Sequence, residues 1–181
     1  HINIMTKTAL SQGVTIFNHY MCAGGTNILD MSSDEVYTSY DFAAPISELG
    51  ITKENFKKAK EINYFLDSFD LSVTESKEAD FEVAQNCYAK VRKDLVNNCD
   101  WLFLRNYNSC ETMLCGVTLE SFDMKILPRN LEFSACTILN SGTEIFTVLK
   151  NDNIQSVFLF ADEKNSITIK AQDGSVQTYS T

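Results

Sequence analysis

Two tyrosines in the first quarter of the chain are the side chains best suited to binding a ligand. Tyr20 ends an apolar run and begins YMCAGGTN (residues 20–27), which contains the glycine pair Gly24 and Gly25. Tyr40 follows within TSYDFAAPISELG (residues 38–50). Glycines after a strand let the backbone turn sharply or approach a ligand closely. Taken alone, the pair favours a simple turn with Tyr20 in the core, and the alternative is the mouth of a binding pocket.

Two carboxylates, Asp41 and Glu48, lie in the second of these segments. Paired carboxylates can perform general acid and base chemistry, but their spacing within a loop fixes no geometry between them. Acidic side chains in loops more often accept hydrogen bonds from the backbone, as in Asx turns. We therefore expect Asp41 and Glu48 to hold the loop, and we assign no catalytic residue within the chain.

The cysteines and histidines do not form a metal-binding pattern. The six cysteines are scattered without a CxxC pair, and the only histidines are His1 and His19. Structural zinc sites use closely spaced ligand pairs. We expect buried thiols with an occasional disulfide, and we expect neither a metal nor a cofactor. His19 should point away from the pocket side because neighbours on a strand face opposite ways.

The composition is that of a folded protein with an acidic surface. Acidic residues number 24 and basic residues 15, which gives a net charge of -9, and the densest basic cluster is KKAK at residues 57–60. A phosphate backbone requires a row of cations, so we expect no nucleic-acid partner and no membrane partner. No apolar run approaches the roughly 18–20 residues of a membrane span. Whether the protein is cytoplasmic or secreted stays open.

The first 70 residues follow the pattern helix, strand, helix. Residues 2–11 have apolar side chains at helical spacing, and VTIFNHYMC (residues 14–22) is rich in β-branched and aromatic residues, which predicts a buried strand. A long loop follows, and Thr52 is then suited to cap a second helix. The apolar stripe of that helix recurs every three or four residues; it comprises Phe56, Ala59, Ile62, Phe65 and Leu66.

The residues after 70 have β-strand character. Short runs such as FEVAQNCYAKV, WLFLR, SVFLFA and SITIKA alternate with polar turn clusters such as NNCD and QDGS. Strands at short, regular spacing predict an antiparallel sandwich. WLFL and VFLF are apolar on both faces and are predicted to be central, while SITIK alternates like a half-exposed strand. The predicted fold class is α+β and mainly β.

The two tyrosine segments together resemble the β-galactosidases of glycoside hydrolase family 35. That family has a strand ending in Tyr-Met-x-x-Gly-Gly-Thr-Asn, followed by a loop with Thr-Ser-Tyr-Asp-(aromatic)-x-Ala-Pro-(Ile/Leu)-x-Glu-x-Gly, and both patterns occur here in that order. WLFLRN and MKILPRNLEF also resemble strands of the β-domain that follows the barrel in this family. Ile28 departs from the family, in which an aromatic residue commonly follows Gly-Gly-Thr-Asn.

The resemblance implies a fold, and it implies that the catalytic and the substrate-binding residues lie in different parts of the enzyme. Residues 1–70 would be the last helix, strand and helix of a (β/α)8 TIM barrel, and residues 71–181 an antiparallel β-sandwich domain. A whole barrel takes about 250 residues, so we expect the chain to be the carboxyl-terminal piece of a longer enzyme. The family places its two catalytic carboxylates on earlier strands. By the same resemblance, Tyr20 and Tyr40 line the galactose pocket.

The function implied by the resemblance is that of the parent protein. It would be a retaining glycosidase that removes terminal β-D-galactose from a galactoside or oligosaccharide, and the remainder of that enzyme would be the partner of this chain. The chain alone is expected to be inactive. Two alternatives stay open. One is a stand-alone, non-catalytic module that binds sugar or serves as a structural β-sandwich. The other is a related enzyme with another sugar preference, which Ile28 allows.

Overall fold

Two helices and eleven strands make up the part of the chain described by a computed structural model, which comprises residues 2–29, 31–32, 37–42, 44–81, 88–162 and 164–180. The helices are α1 (Ile2–Ser11) and α2 (Glu54–Thr74). The strands are β1 (Lys77–Ala79), β2 (Tyr88–Asp94), β3 (Cys99–Arg105), β4 (Thr112–Leu114), β5 (Val117–Leu119), β6 (Met124–Glu132), β7 (Cys136–Ser141), β8 (Ile145–Asn151), β9 (Ile154–Leu159), β10 (Ser166–Ala171) and β11 (Val176–Ser180).

Seven of these strands form one antiparallel sheet in the order β1-β2-β3-β6-β7-β10-β11. The other four form two hairpins, β4–β5 and β8–β9. Near the centre of the sheet, Trp101 of β3 lies opposite Arg92 of β2 on one side and Pro128 of β6 on the other. The prediction of a mainly β chain with a large antiparallel sheet is confirmed.

Strand β3, next to the central strand β6, contributes side chains to two hydrophobic layers because successive residues of a strand face opposite sides of a sheet. Trp101 and Phe103 belong to the layer that includes Phe65 of α2, while Leu102 and Leu104 belong to the layer with the β4–β5 hairpin. None of these four strand side chains is more than 1% exposed. The sheet is therefore covered on both faces, and WLFL is central as predicted.

Helix α2 packs its predicted apolar stripe against the sheet. Ala59, Ile62 and Phe65 are buried, and Phe56 and Leu66 are half-buried. Burying a large apolar side chain contributes about 1.5–3 kcal/mol, so the stripe is a main attachment of the helix. Neither of the two described helices is long and apolar enough to cross a membrane.

The predicted cap of this helix is wrong by one residue. The helix begins at Glu54, and Lys53 occupies the N-cap position in an extended conformation, with no hydrogen bond from its side chain. Thr52 forms an isolated antiparallel bridge with Ile46 instead. This pairing keeps Thr52 in extended backbone before the helix begins.

The predicted buried strand at residues 14–22 is also wrong. Ile16 and Tyr20 are 88% and 89% exposed, and the Tyr20 N–H donates a hydrogen bond to the Asn18 carbonyl at 3.0 Å in a tight turn. A strand needs hydrogen-bonded neighbours on at least one side. Among the described residues, the nearest pairing is an isolated parallel bridge between Ala23 and Ile46. Within the described ranges, the segment therefore has no strand to pair with along its length.

The other strand predictions have mixed outcomes. SITIK forms β10 with Ile167 buried, as expected. VFLF was predicted to be central, but its first three residues lie in β9, which among the described strands pairs only with β8, and Phe158 is 46% exposed. An apolar run does not reveal whether both faces of a strand are covered. The run FEVAQNCYAKV forms β2 from Tyr88 onward, and residues 82–87 lie outside the described residues.

The helices and the sheet share one hydrophobic core. Leu10 of α1 and Phe65 of α2 belong to the same buried cluster as Trp101 and Ile138 of the sheet. The predicted boundary between residues 70 and 71 lies within α2, just after Phe69, where the helical backbone is interrupted with φ −135° and ψ 18°. The division into residues 1–70 and 71–181 stays a prediction.

Candidate functional site

The two tyrosine segments lie against each other through backbone hydrogen bonds. The Gly24 N–H donates to the Ile46 carbonyl at 2.8 Å, and the Ile46 N–H donates to the Cys22 carbonyl at 3.0 Å. On the other side of the glycine pair, the Tyr40 N–H donates to the Gly25 carbonyl at 2.9 Å. The structure thus brings together the two segments that the sequence singled out.

The glycine pair is explained by close packing. A Cβ atom on Gly24 would lie 1.9 Å from Asp41 Oδ1, and one on Gly25 would lie 2.2 Å from Tyr40 Oη. Real Cβ atoms essentially never come this close to another heavy atom. The pair therefore serves as the surface on which the side chains of Tyr40 and Asp41 rest, a different role from the simple turn that the pair alone favours.

We expect Gly25→Ala to lower the free energy of unfolding by about 1–3 kcal/mol, the usual cost of overpacking. Urea unfolding of the chain measures this cost. In a Tyr40→Ala background the same substitution should cost much less, because the ring that the new methyl group would strike is absent. An equal cost in both backgrounds would contradict the close approach of Tyr40 to Gly25.

Tyr20 and Tyr40 line the same groove, which has a volume of about 740 Å³. Tyr20 is largely exposed, whereas Tyr40 is half-buried against the glycine pair. The groove is also lined by Ile2, Met5, Asn18, His19, Met21, Asn27, Phe42, Ala44 and Pro45.

The chemistry of this groove is polar but uncharged. Its described lining residues offer phenol hydroxyls, two side-chain amides and one imidazole beside apolar walls, and none of them is Asp, Glu, Lys or Arg. Sites of this composition orient a ligand by a few polar contacts while apolar walls bury its faces. The groove therefore suits an uncharged polar ligand with apolar faces, and it supplies no carboxylate to such a ligand.

Asp41 uses both carboxylate oxygens to hold the loop. Oδ1 accepts a hydrogen bond from the Glu48 N–H at 2.7 Å, and Oδ2 accepts one from Lys53 Nζ at 2.7 Å. The Lys53 hydrogen bond, with that of the Glu48 backbone, holds the pKa of Asp41 below its usual range. The prediction that Asp41 holds the loop is confirmed. Glu48 instead accepts a hydrogen bond from the Thr26 hydroxyl at 2.5 Å.

Two features of the site were not predicted. Lys53 is the cation that pairs with Asp41, and the only sequence signal for it is a basic residue at the start of a helix. His19 was predicted to face away from the pocket side, but it lines the groove together with Tyr20. Its ring packs edge-on against Phe17 with centroids 5.3 Å apart, and its Nε2 atom is buried without a hydrogen-bond partner.

The cysteines differ from the prediction of buried thiols. Cys99 is buried, and burial raises its pKa to about 12. Cys22, Cys110 and Cys115 are free and exposed because they lie in surface loops and turns, and Cys87 lies outside the described residues. Within the described ranges, no group of three or more His, Cys, Asp and Glu residues could hold a metal ion.

The amino-terminal third of the chain matches a known family of enzymes. Residues 1–65 match the model of glycosyl hydrolases family 35. The resemblance found from the two tyrosine segments is therefore confirmed over these residues, which include Tyr20, Tyr40 and the groove described above.

Individual relatives are also similar to this chain. A probable β-galactosidase B of Sclerotinia sclerotiorum is 22% identical over 202 residues, which cover 97% of this chain and 20% of that protein. A probable β-galactosidase C of Aspergillus niger is 35% identical over 63 residues, and the β-galactosidase A of Aspergillus oryzae is 38% identical over 64 residues. Each of these two matches covers 35% of this chain and 6% of the relative. The chain thus spans a fifth or less of the length of these proteins.

Proposed function

We propose that this chain is part of a retaining glycoside hydrolase that removes terminal β-D-galactose from glycosides. The observation that carries the proposal is the uncharged, tyrosine-lined groove within the residues that match family 35. A retaining glycosidase needs two carboxyl groups about 5–5.5 Å apart. The described lining residues of the groove include none, so the catalytic carboxylates come from the rest of the parent enzyme.

Tyr20 and Tyr40 are the substrate-binding residues in this proposal. A phenol ring packs against the C–H face of a pyranose, and its hydroxyl group forms a hydrogen bond with a sugar hydroxyl. Tyr20 is free to do so because it is 89% exposed. The hydroxyl end of the Tyr40 ring packs against Gly25, where a Cβ atom would lie 2.2 Å from Tyr40 Oη.

The remainder of the parent enzyme is the proposed partner of residues 1–70. The exposed large apolar side chains are concentrated here and include Val14, Ile16, Ile28, Leu29, Tyr37 and Leu49. Such groups mark surfaces that another part of a protein covers. Among the described residues no strand pairs with residues 14–22 along their length, which is also expected of the last strand of a TIM barrel before its neighbours pair with it. In this proposal the β-rich remainder supports the barrel.

The decisive experiment compares Tyr20→Phe and Tyr40→Phe in the full-length parent enzyme, assayed with a chromogenic β-galactoside. Each substitution removes one hydroxyl group and keeps the ring. A neutral hydrogen bond contributes about 0.5–1.5 kcal/mol net, so we expect kcat/KM to fall about 2- to 10-fold for each.

Tyr107→Phe is the matched control for this assay. Tyr107 follows β3, is 51% exposed and does not line the groove, so the kinetics of this variant should equal those of the parent. Unchanged kinetics for both Tyr20→Phe and Tyr40→Phe would remove the site assignment. A panel of other glycosides in the same assay tests whether the preferred sugar is galactose.

The alternative function is a non-catalytic, sugar-binding module. The uncharged groove favours it because the described lining residues could bind a sugar but could not cleave it. Titration of the isolated chain with galactose separates the two ideas. Millimolar or tighter binding by the isolated chain favours the module, whereas hydrolysis by the full-length enzyme favours the first proposal.

A further inference from the structure

A network of charged and polar side chains lies directly behind Tyr40 and outside the groove. Asp41 accepts hydrogen bonds from the Glu48 N–H and from Lys53 Nζ, both at 2.7 Å. The ion pair is partly buried, since the side chains of Lys53 and Asp41 are 34% and 25% exposed. The Thr26 hydroxyl donates to Glu48 Oε2 at 2.5 Å and ties the same loop to the end of the glycine segment.

This network fixes three pieces of backbone relative to one another. Lys53 is the N-cap residue of α2, Glu48 lies near the end of the second tyrosine segment, and Asp41 Oδ1 occupies the space where Gly24 lacks a side chain. The Lys53 N–H also donates to the Pro45 carbonyl at 2.8 Å. Tyr40 directly precedes Asp41, so the backbone that Asp41 fixes is also the backbone that carries the phenol.

We propose that Asp41 and Lys53 are positioning residues whose ion pair holds the phenol of Tyr40 in the groove. The contacts above support the positioning of Tyr40 by this ion pair. Only the effect of that positioning on catalysis rests on the proposed function. The distance between donor and acceptor in a protein hydrogen bond varies by only a few tenths of an ångström. A loop that carries a ligand-binding phenol must therefore be held in place, and the ion pair of Asp41 and Lys53 does this. Neither Asp41 nor Lys53 lines the groove, so neither is a catalytic residue.

The ion pair between Asp41 and Lys53 should be sensitive to acid. The hydrogen bond from Lys53, with that from the Glu48 backbone, lowers the pKa of Asp41 from the usual carboxyl value of about 3.9. The ion pair is therefore intact above the usual carboxyl pKa of about 3.9. It is lost as the pH falls through the lowered pKa of Asp41. The charged groups facing Asp41 in these contacts are Lys53 at the start of α2 and, farther along the loop, Glu48, whose carboxylate bonds to Thr26.

The test uses the full 181-residue chain labelled with 3-fluorotyrosine and observed by fluorine NMR. The chain has seven tyrosines, and Tyr40→Phe identifies the signal of Tyr40 by its disappearance. We expect Asp41→Asn and Lys53→Met each to shift the Tyr40 signal by at least one linewidth and to leave the other tyrosine signals in place. Lys53→Met should also move the acid titration of the Tyr40 signal to higher pH.

The control is Lys57→Met, which removes an ion pair with Glu54 at the start of the same helix. That pair is exposed, with side chains 74% and 71% exposed and the charged atoms 3.8 Å apart, so the Tyr40 signal should not move. An unchanged Tyr40 signal in both test variants would overturn the proposal. A change spread over all seven signals in both would also overturn it, because the pair would then hold the whole fold. Neither outcome depends on sugar binding, which the Tyr40→Phe kinetics test separately.

Discussion

Replacing Lys7 by methionine is expected to lower the free energy of unfolding by about 3–5 kcal/mol, the usual cost of removing one partner of a buried ion pair. Lys7 Nζ donates to Glu144 Oε2 at 2.6 Å and to the Met124 carbonyl at 2.7 Å, and its side chain is only 6% exposed. Glu144 Oε1 in turn accepts the Ile126 N–H at 2.7 Å. One carboxylate therefore joins α1 to the central strand β6, and without Lys7 it is left partly buried with an uncompensated charge.

Two further variants separate this effect from a general loss of charge. Lys57→Met removes an exposed partner of Glu54 and should change stability by no more than about 0.5 kcal/mol. Glu144→Gln combined with Lys7→Met removes the uncompensated charge, so the double variant should be more stable than the sum of the single effects implies, by about 0.5–3 kcal/mol. Urea unfolding measures all of them. A cost below about 1 kcal/mol for Lys7→Met would contradict a buried, structural ion pair.

The parts of the fold that the sequence predicts correctly are those whose pattern is local. β3 carries WLFLR, an apolar run that fits a strand only where both faces are covered. A hydrophobic cluster covers each face of this strand. α2 carries apolar residues at spacings of three and four, and Ala59, Ile62 and Phe65 are buried accordingly. In each case the side-chain period alone decides which residues meet the core.

Predictions fail where the outcome depends on a neighbour elsewhere in the chain or outside it. Residues 14–22 have strand composition, but a strand also needs a partner for its backbone. The Tyr20 N–H donates to the Asn18 carbonyl in a tight turn around His19, so the alternation of a regular strand does not apply there. For this reason His19 lines the same groove as Tyr20 although the two residues are adjacent. VFLF fails likewise, because only the packing of β8–β9 decides which side is covered.

The candidate site combines a predictable part with an unpredictable part. The resemblance of the two tyrosine segments to family 35 predicts that Tyr20 and Tyr40 line one pocket, and both line one groove. Their role in substrate binding stays a prediction. The partner of Asp41 is not predictable, because Lys53 lies 12 residues farther along the chain and pairs only through the path of the loop. The glycine pair is intermediate: its presence indicates a close approach, but the approaching side chains, Tyr40 and Asp41, emerge only from the fold.

Replacing Phe65 by alanine is expected to lower the free energy of unfolding by about 3–5 kcal/mol, the usual range for removing a buried aromatic ring. Phe65 of α2 is 4% exposed, and its ring centroid lies 5.3 Å from those of both Phe69 and Trp101. The loss should affect helix and sheet together because one cluster contains side chains of both. Trp101 is the only tryptophan of the chain, so its fluorescence reports the sheet, while far-ultraviolet circular dichroism reports the helices.

Leu71→Ala provides the matched control, because Leu71 lies on the same helix and is 71% exposed. Alanine is a good helix former, so this control should change stability by no more than about 0.5 kcal/mol. If residues 1–70 and 71–181 unfold as one unit, both probes follow one transition, and Phe65→Ala moves it to lower urea as a whole. If the two parts unfold separately, Phe65→Ala moves the helical transition and leaves that of the sheet in place. The second outcome would mean that the shared core does not couple the two predicted domains.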